Sequence, residues 1–300
     1  MRSFLYLLFI IVLPSWLMAQ EDSTGNEPAS SLLWEISRSD VSFRSYLFGT
    51  NHLVSGAFVD TSSVMLNCIN SADVIITEVE SMEIDTAFLV KAMTMKKNDY
   101  YSFSDPDDEE YMVNFFRNNP MLKAFADNYF ILKPMAYWLI YFYSNYVKGA
   151  PSDNTGISTL DTYFMTEANK RNKELAGLET MEEQISYFMD SISINSQLAI
   201  LLSTIRIKRE EMDLAKNTLD TCYLSQDLSC MSTFGIFGSR FRNENSLFLE
   251  NRNLLWMKKL PSYINYKSAV IAVGAGHLPG EYGLLNLLKK QGYTVKPVRF

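Results

Sequence analysis

Two residues in this chain have the chemistry to move protons or hold a metal ion near neutral pH: His52 and His277, the only histidines among 300 residues. Each closes the same local pattern. Leu47-Phe48-Gly49-Thr50-Asn51-His52 and Val273-Gly274-Ala275-Gly276-His277 both run from an apolar stretch through G-x-x into histidine, and Leu53 and Leu278 follow. One G-x-x-H is a weak signal. Two of them, using every histidine and lying at opposite ends of the chain, predict a shared site. Gly49, Gly274 and Gly276 are expected to shape it, because glycine permits positive φ and close backbone approach, together with Asn51 beside His52.

Either chemistry needs a carboxylate. Glu78 lies in Asp73–Glu80, read as a strand, DVIITEVE. A buried strand glutamate is costly unless it is paired or ligated. Glu78 therefore reads as a metal ligand or as the partner of an arginine, and Glu80 as a solvated charge at the strand end. Two imidazoles and one carboxylate can hold a divalent ion and leave positions open for water. The expected set is His52, Glu78 and His277, with manganese, cobalt or zinc as the ion. The chain has no H-E-x-x-H and no cysteine cluster, which excludes a standard zinc protease.

The elements that must position these residues sit at the two ends of the chain. Leu32–Ser37 and Arg44–Gly49 read as a strand hairpin, and Asp60–Asn70 as a helix. The chain closes strand, helix, strand over Ser268–Val273, Gly280–Lys290 and Tyr293–Val298. Between them the reading is mostly helical (about 84–260): Asp85–Met95, Asp107–Phe116, Pro134–Tyr146, Gly156–Lys170, Met181–Met189, Asn195–Leu214 and Asn243–Lys259, interrupted by one strand, Glu174–Leu178. The expected class is α/β (α+β), with a mixed central sheet built from both chain ends and a helical middle packed on it or capping it. The aromatic run Tyr129–Tyr146 is too short to span a bilayer and reads as a buried helix. A membrane-facing or substrate-gripping helix is the alternative.

Composition sets the compartment. Arg2, the apolar run Phe4–Leu13, the break at Pro14 and Leu17-Met18-Ala19 before Gln20 form a signal-peptide pattern. The expectation is a signal peptide over 1–19, a flexible leader over 20–30, a single domain over 31–300 and no transmembrane segment after cleavage. A protein with this start is exported, to the periplasm or beyond. Net charge is −7 and the pI about 5.0. Nucleic-acid binding through a basic field is thereby excluded. In an oxidising compartment the eight-residue spacing of Cys222 and Cys230 permits a disulfide, and Cys68 reads as a buried free thiol.

Taken together, YLFGTNHL around His52, Glu78, and VGAGHLPGEYGLLNLLKKQGYTV from Val273 resemble the TraB/GumN family. Gly177-Leu178-Glu179-Thr180 with Glu182-Glu183-Gln184 is similar to its GLET…EQ segment, and Arg252-Asn253 with Trp256 to its RN-x-x-W segment. The likeness runs from about Leu32 to Val298. It implies a fold related to erythromycin esterases, with the two histidines and the strand glutamate at the site. It also implies kinship with Tiki-type metal-dependent proteases that act on extracellular peptides. Asn51 departs from the bulkier aliphatic residue common before that histidine. Arg252 is expected to neutralise Glu78 or hold a substrate carboxylate or oxyanion, with an exposed helix charge as the alternative. Glu179, at the start of a helix, is given a structural role. The function expected is a metal-dependent, peptidase-like hydrolase acting on a peptide or protein outside the cytoplasm. A non-catalytic envelope protein holding a peptide or a small ligand such as haem is the alternative.

Overall fold

The computed structural model describes residues 30–51, 54–97, 99–146, 159–232 and 241–300. His52 and the signal segment 1–19 lie outside the described residues. The chain divides into two compact units, and the described parts are 30–81, 159–180 and 215–300 for one, 82–146 and 181–214 for the other.

The first unit is built on a six-stranded mixed sheet. Its strands are β1 (Leu33–Ser37), β2 (Ser45–Thr50), β3 (Val74–Val79), β4 (Glu174–Glu179), β5 (Ala269–Gly274) and β6 (Thr294–Val298), in the spatial order β4-β3-β5-β2-β1-β6. β4, β3, β5 and β2 are mutually parallel, while β1 pairs antiparallel with β2 and β6. Both chain ends thus supply the sheet, as the sequence predicts, and Glu174–Glu179 extends it at one edge. β3 is buried along its whole length, and β5 from Ala269 to Val273. Continuous apolar, β-branched runs such as VIITEV and AVIAV are what a parallel strand covered on both faces requires.

Helices supply that cover. They include α1 (Ala57–Asp60), α2 (Ser63–Ser71), α6 (Leu160–Lys170), the 215–224 part of α9 (Arg209–Leu224), α10 (Leu228–Ser232), α11 (Arg242–Lys259), α12 (Pro261–Ile264) and α13 (Leu284–Lys290). Met65, Cys68 and Ile69 of α2, Phe164 and Ala168 of α6, Trp256 of α11 and Leu284 and Leu288 of α13 join one core with the sheet. The N-termini of α2 and α6 are capped by Ser62 and Thr159, whose side chains accept from the backbone N–H three residues on. Cys222 and Cys230 are joined as a disulfide, and Cys68 is a buried free thiol.

The second unit is helical: α3 (Thr86–Met93), α4 (Pro106–Asn118), α5 (Pro134–Tyr146), α7 (Met181–Asp190) and α8 (Ile194–Ile205). In α5, every residue from Met135 to Phe142 is buried, so the aromatic run is core. The single helix expected over Asn195–Leu214 is in fact two, and this corrects the sequence reading. α8 ends at Ile205, whose carbonyl accepts the Tyr111 hydroxyl from α4 at 3.2 Å, and Arg206 pairs with Asp108. The next helix opens at Arg209 with Glu210 and Glu211 in its first turn, where acidic residues suit the helix dipole.

Candidate active site

Register brings the site together. Thr50 pairs with Gly274, Thr77 with Ala272 and Val79 with Glu179. The four parallel strands therefore end together, at Thr50, Gly274, Val79 and Glu179. The carboxyl edge of parallel strands is where open α/β sheets build ligand and catalytic sites. β2, which leads toward His52, ends on that edge beside Gly274.

Gly49 sits where the two G-x-x-H segments meet. A Cβ there would lie 3.0 Å from both Cα and Cβ of Ala275 and 3.2 Å from Leu278 Cδ2, so the close approach requires glycine. Gly276 is different: the nearest atom to an added Cβ is 3.8 Å away, on Leu249. Its expected site-shaping role is not one of close packing. The Gly49 carbonyl accepts the buried Tyr223 hydroxyl at 2.7 Å, and Thr50 donates to Asp161 at 2.8 Å. Asn51 is buried.

His277 follows β5 in a short 3-10 turn, Ala275–His277, and is only 3% exposed. Its Nδ1 lies 2.7 Å from Asn253 Oδ1. Asn253 Nδ2 donates to two carbonyls, of His277 at 3.1 Å and Tyr282 at 2.8 Å. Those two acceptors fix the amide orientation, so Oδ1 accepts and Nδ1 carries the imidazole proton. Nε2 then presents its lone pair to the interior. There it receives the Arg252 Nη1 proton at 3.1 Å and lies 3.8 Å from Glu78 Oε1.

Arg252 is the centre of the cluster. Its Nη2 donates to Glu78 Oε2 at 2.7 Å and to Glu179 Oε1 at 2.5 Å, while Nε sits 3.1 Å from both Glu179 oxygens. Arg252, Glu78 and Glu179 are 3%, 4% and 6% exposed. Burial works to lower the arginine pKa, but the Glu179 and Glu78 carboxylates outweigh it, and the group is held above its ordinary value. The aromatic rings of Phe248 and Trp256, one helical turn before and after, lie 5.3 and 4.7 Å from the guanidinium carbon. Trp256 also donates to Glu179 Oε2 at 3.1 Å and packs its ring 4.3 Å from the imidazole. Glu78 Oε1 accepts the Gly274 N–H at 2.8 Å, tying β3 to the end of β5.

The structure thus joins Glu78, Arg252, Gly274 and His277, and it leaves Glu80 exposed as expected. The exposed-charge alternative for Arg252 falls, because the side chain is buried. Sequence reasoning missed Glu179 as a member of the cluster, and it assigned no role to Asn253 or Trp256. Their signal was the short segments GLET and RN-x-x-W. Among the described residues no group of three or more histidine, cysteine or acidic side chains is set to hold a metal ion.

The fold and site define a class: a parallel-edge α/β protein with a buried arginine shared between two carboxylates and an oriented imidazole. The TraB/PrgY/gumN family pattern matches residues 32–297, and the chain belongs to that family. Comparison with curated proteins gives no match.

Proposed function

We propose that the chain is an exported metal-dependent hydrolase, peptidase-like in its substrates, whose working atom is Nε2 of His277. The supporting observation is the 3.8 Å separation of that atom from Glu78 Oε1 at the carboxyl edge of the sheet. The other imidazole nitrogen is held by Asn253, as the second nitrogen of a metal-ligating histidine usually is held. In this reading His277 and Glu78, together with His52, would hold a divalent cation. Manganese, cobalt and zinc all suit such a mixed nitrogen and oxygen set. Such an ion, when bound, would supply an acidified water and a Lewis acid for a substrate carbonyl.

The chain's own residues do the rest. Asn253 fixes the tautomer that leaves Nε2 available. Arg252 places positive charge where negative charge develops on a substrate oxygen. Glu179 and the rings of Phe248 and Trp256 hold that guanidinium in place and shield it from water. Export is supported by the signal-peptide pattern over 1–19 and by the Cys222–Cys230 disulfide, a bond that persists in oxidising compartments. Among the described residues no helix is long and apolar enough to cross a membrane.

The test measures metal per protein and cleavage of a peptide library by wild type and by His52→Ala, His277→Ala and Glu78→Ala, with circular dichroism as folding control. Each substitution is expected to lower metal content and abolish cleavage. Full activity in the histidine variants refutes the hydrolase reading. A wild type that holds no metal and cleaves nothing favours the binding protein, with the same cluster holding a peptide or small ligand.

A further inference from the structure

The disulfide between Cys222 and Cys230 ties together two pieces of chain that each hold one half of the site. Cys222 sits in the last turn of α9 beside Tyr223. That tyrosine is fully buried, and its hydroxyl donates to the Gly49 carbonyl at 2.7 Å, on the first G-x-x-H segment. Cys230 lies in α10, which packs against the Ala275–His277 turn of the second. The two segments are already in tight contact, since a Cβ on Gly49 would lie 3.0 Å from Ala275. A change in the spacing of α9 and α10 therefore reaches both the end of β2 and the turn that carries His277.

We infer that this disulfide is a redox switch on the site: oxidised, it holds Gly49 and the His277 turn together, and a dithiol reductant releases them. The two cysteines are only eight residues apart in sequence, and a short closed loop constrains the unfolded chain least. The turn it closes also has hydrogen bonds of its own. The Asp227 N–H donates to the Cys222 carbonyl at 2.9 Å, and the Asp227 carboxylate accepts the Ser229 and Cys230 N–H groups, each at 3.0 Å. Reduction thus leaves the chain folded. Two thiols nevertheless need van der Waals separation, and a close-packed interior passes that displacement on to its neighbours. Cys222 is 3% exposed and Cys230 half-buried, so attack enters at Cys230. A thiolate of the dithiol bonds to the Cys230 sulfur, the disulfide bond breaks, and Cys222 leaves as a thiolate. The second thiol of the reductant then displaces Cys230 from the mixed disulfide. The dithiol is oxidised by two electrons to its own disulfide, and its two protons end on Cys222 and Cys230.

The switch needs neither metal nor substrate, so its failure is separate from failure of the hydrolase reading. The experiment follows the purified chain by NMR with its disulfide formed, after reduction by excess dithiothreitol, and after reoxidation. Two backbone amides report on the turn: the Gly274 N–H, held by Glu78 Oε1 at 2.8 Å, and the Leu278 N–H, held by the Ala275 carbonyl at 3.1 Å. Both are expected to exchange with solvent at least about tenfold faster after reduction and to recover on reoxidation. The His277 ring signals are expected to move with them, while the amides that pair β1 with β6 keep their protection and circular dichroism stays native. Cys222→Ser combined with Cys230→Ser should show the reduced behaviour permanently and ignore dithiothreitol, which separates the bond from any other effect of the reagent. Unchanged exchange and ring signals once both thiols are shown to be free overturn the switch. Global unfolding on reduction also overturns it, because the bond is then a structural staple. Reduction of wild type requires no variant, so these outcomes decide the matter even where the double serine chain does not fold.

Discussion

Replacing Asn253 by alanine strips three hydrogen bonds from the site without touching a charge. The carboxamide donates to the carbonyls of His277 and Tyr282 at 3.1 and 2.8 Å and accepts from His277 Nδ1 at 2.7 Å, and the residue is 2% exposed. At a net contribution of about 0.5–1.5 kcal/mol each, the loss comes to about 1.5–4.5 kcal/mol. For a chain of this size that lowers Tm by about 3–18 °C, at about 2–4 °C per kcal/mol. Thermal unfolding followed by circular dichroism measures it. Asn253→Asp sharpens the test. It restores the acceptor for Nδ1 but turns an oxygen toward two carbonyl oxygens, so it is expected to be no more stable than the alanine variant. A loss below about 1 kcal/mol for alanine, or wild-type stability for aspartate, refutes the orientation assigned to the amide and with it the imidazole tautomer.

Two further outcomes test the surrounding structure. Burial pushes the Cys68 thiol up to about 11, so a thiol reagent at pH 8 should leave the native protein unmodified and find one thiol after unfolding, or three if Cys222–Cys230 is first reduced; rapid native reaction contradicts this. The Glu167 carboxyl is held below its ordinary range, because hydrogen bonds from Lys170 and Arg171 overcome the raising effect of burial. A lowered folded-state pKa gives stability that is present above the unfolded value and lost as pH falls through the folded one. Wild type should therefore lose its stability advantage over Glu167→Gln on acidification from about pH 5 to pH 3, and denaturant melts showing a constant difference would refute the pairing.

Much of the frame was legible in the sequence because it is local. The apolar β-branched runs of β3 and β5 mark buried parallel strands, and the two G-x-x-H segments mark where strands of one sheet end. What escaped depends on contacts far along the chain. The break after Ile205 has no glycine or proline to announce it; the carbonyl there is taken by Tyr111, 94 residues away. Glu179 looked like a helix-start carboxylate, and only the register of β4 with β3 brings it to the guanidinium of Arg252, 73 residues on. Asn253 is one letter beside an arginine until the turn after β5 places His277 against it. Whether Glu78 would meet an arginine or a ligand was open in the sequence, and the ion pair at 2.7 Å answers the first half.

The most direct test of the account is ¹⁵N-histidine NMR of the purified chain, in which only two imidazoles contribute signals. With His277→Ala used to assign them, the His277 ring is predicted to be neutral, to carry its proton on Nδ1, and to show an Nε2 resonance that moves when Zn²⁺ is added. A proton found on Nε2, or an Nε2 resonance indifferent to metal, contradicts the claim that this nitrogen is the working atom of the site.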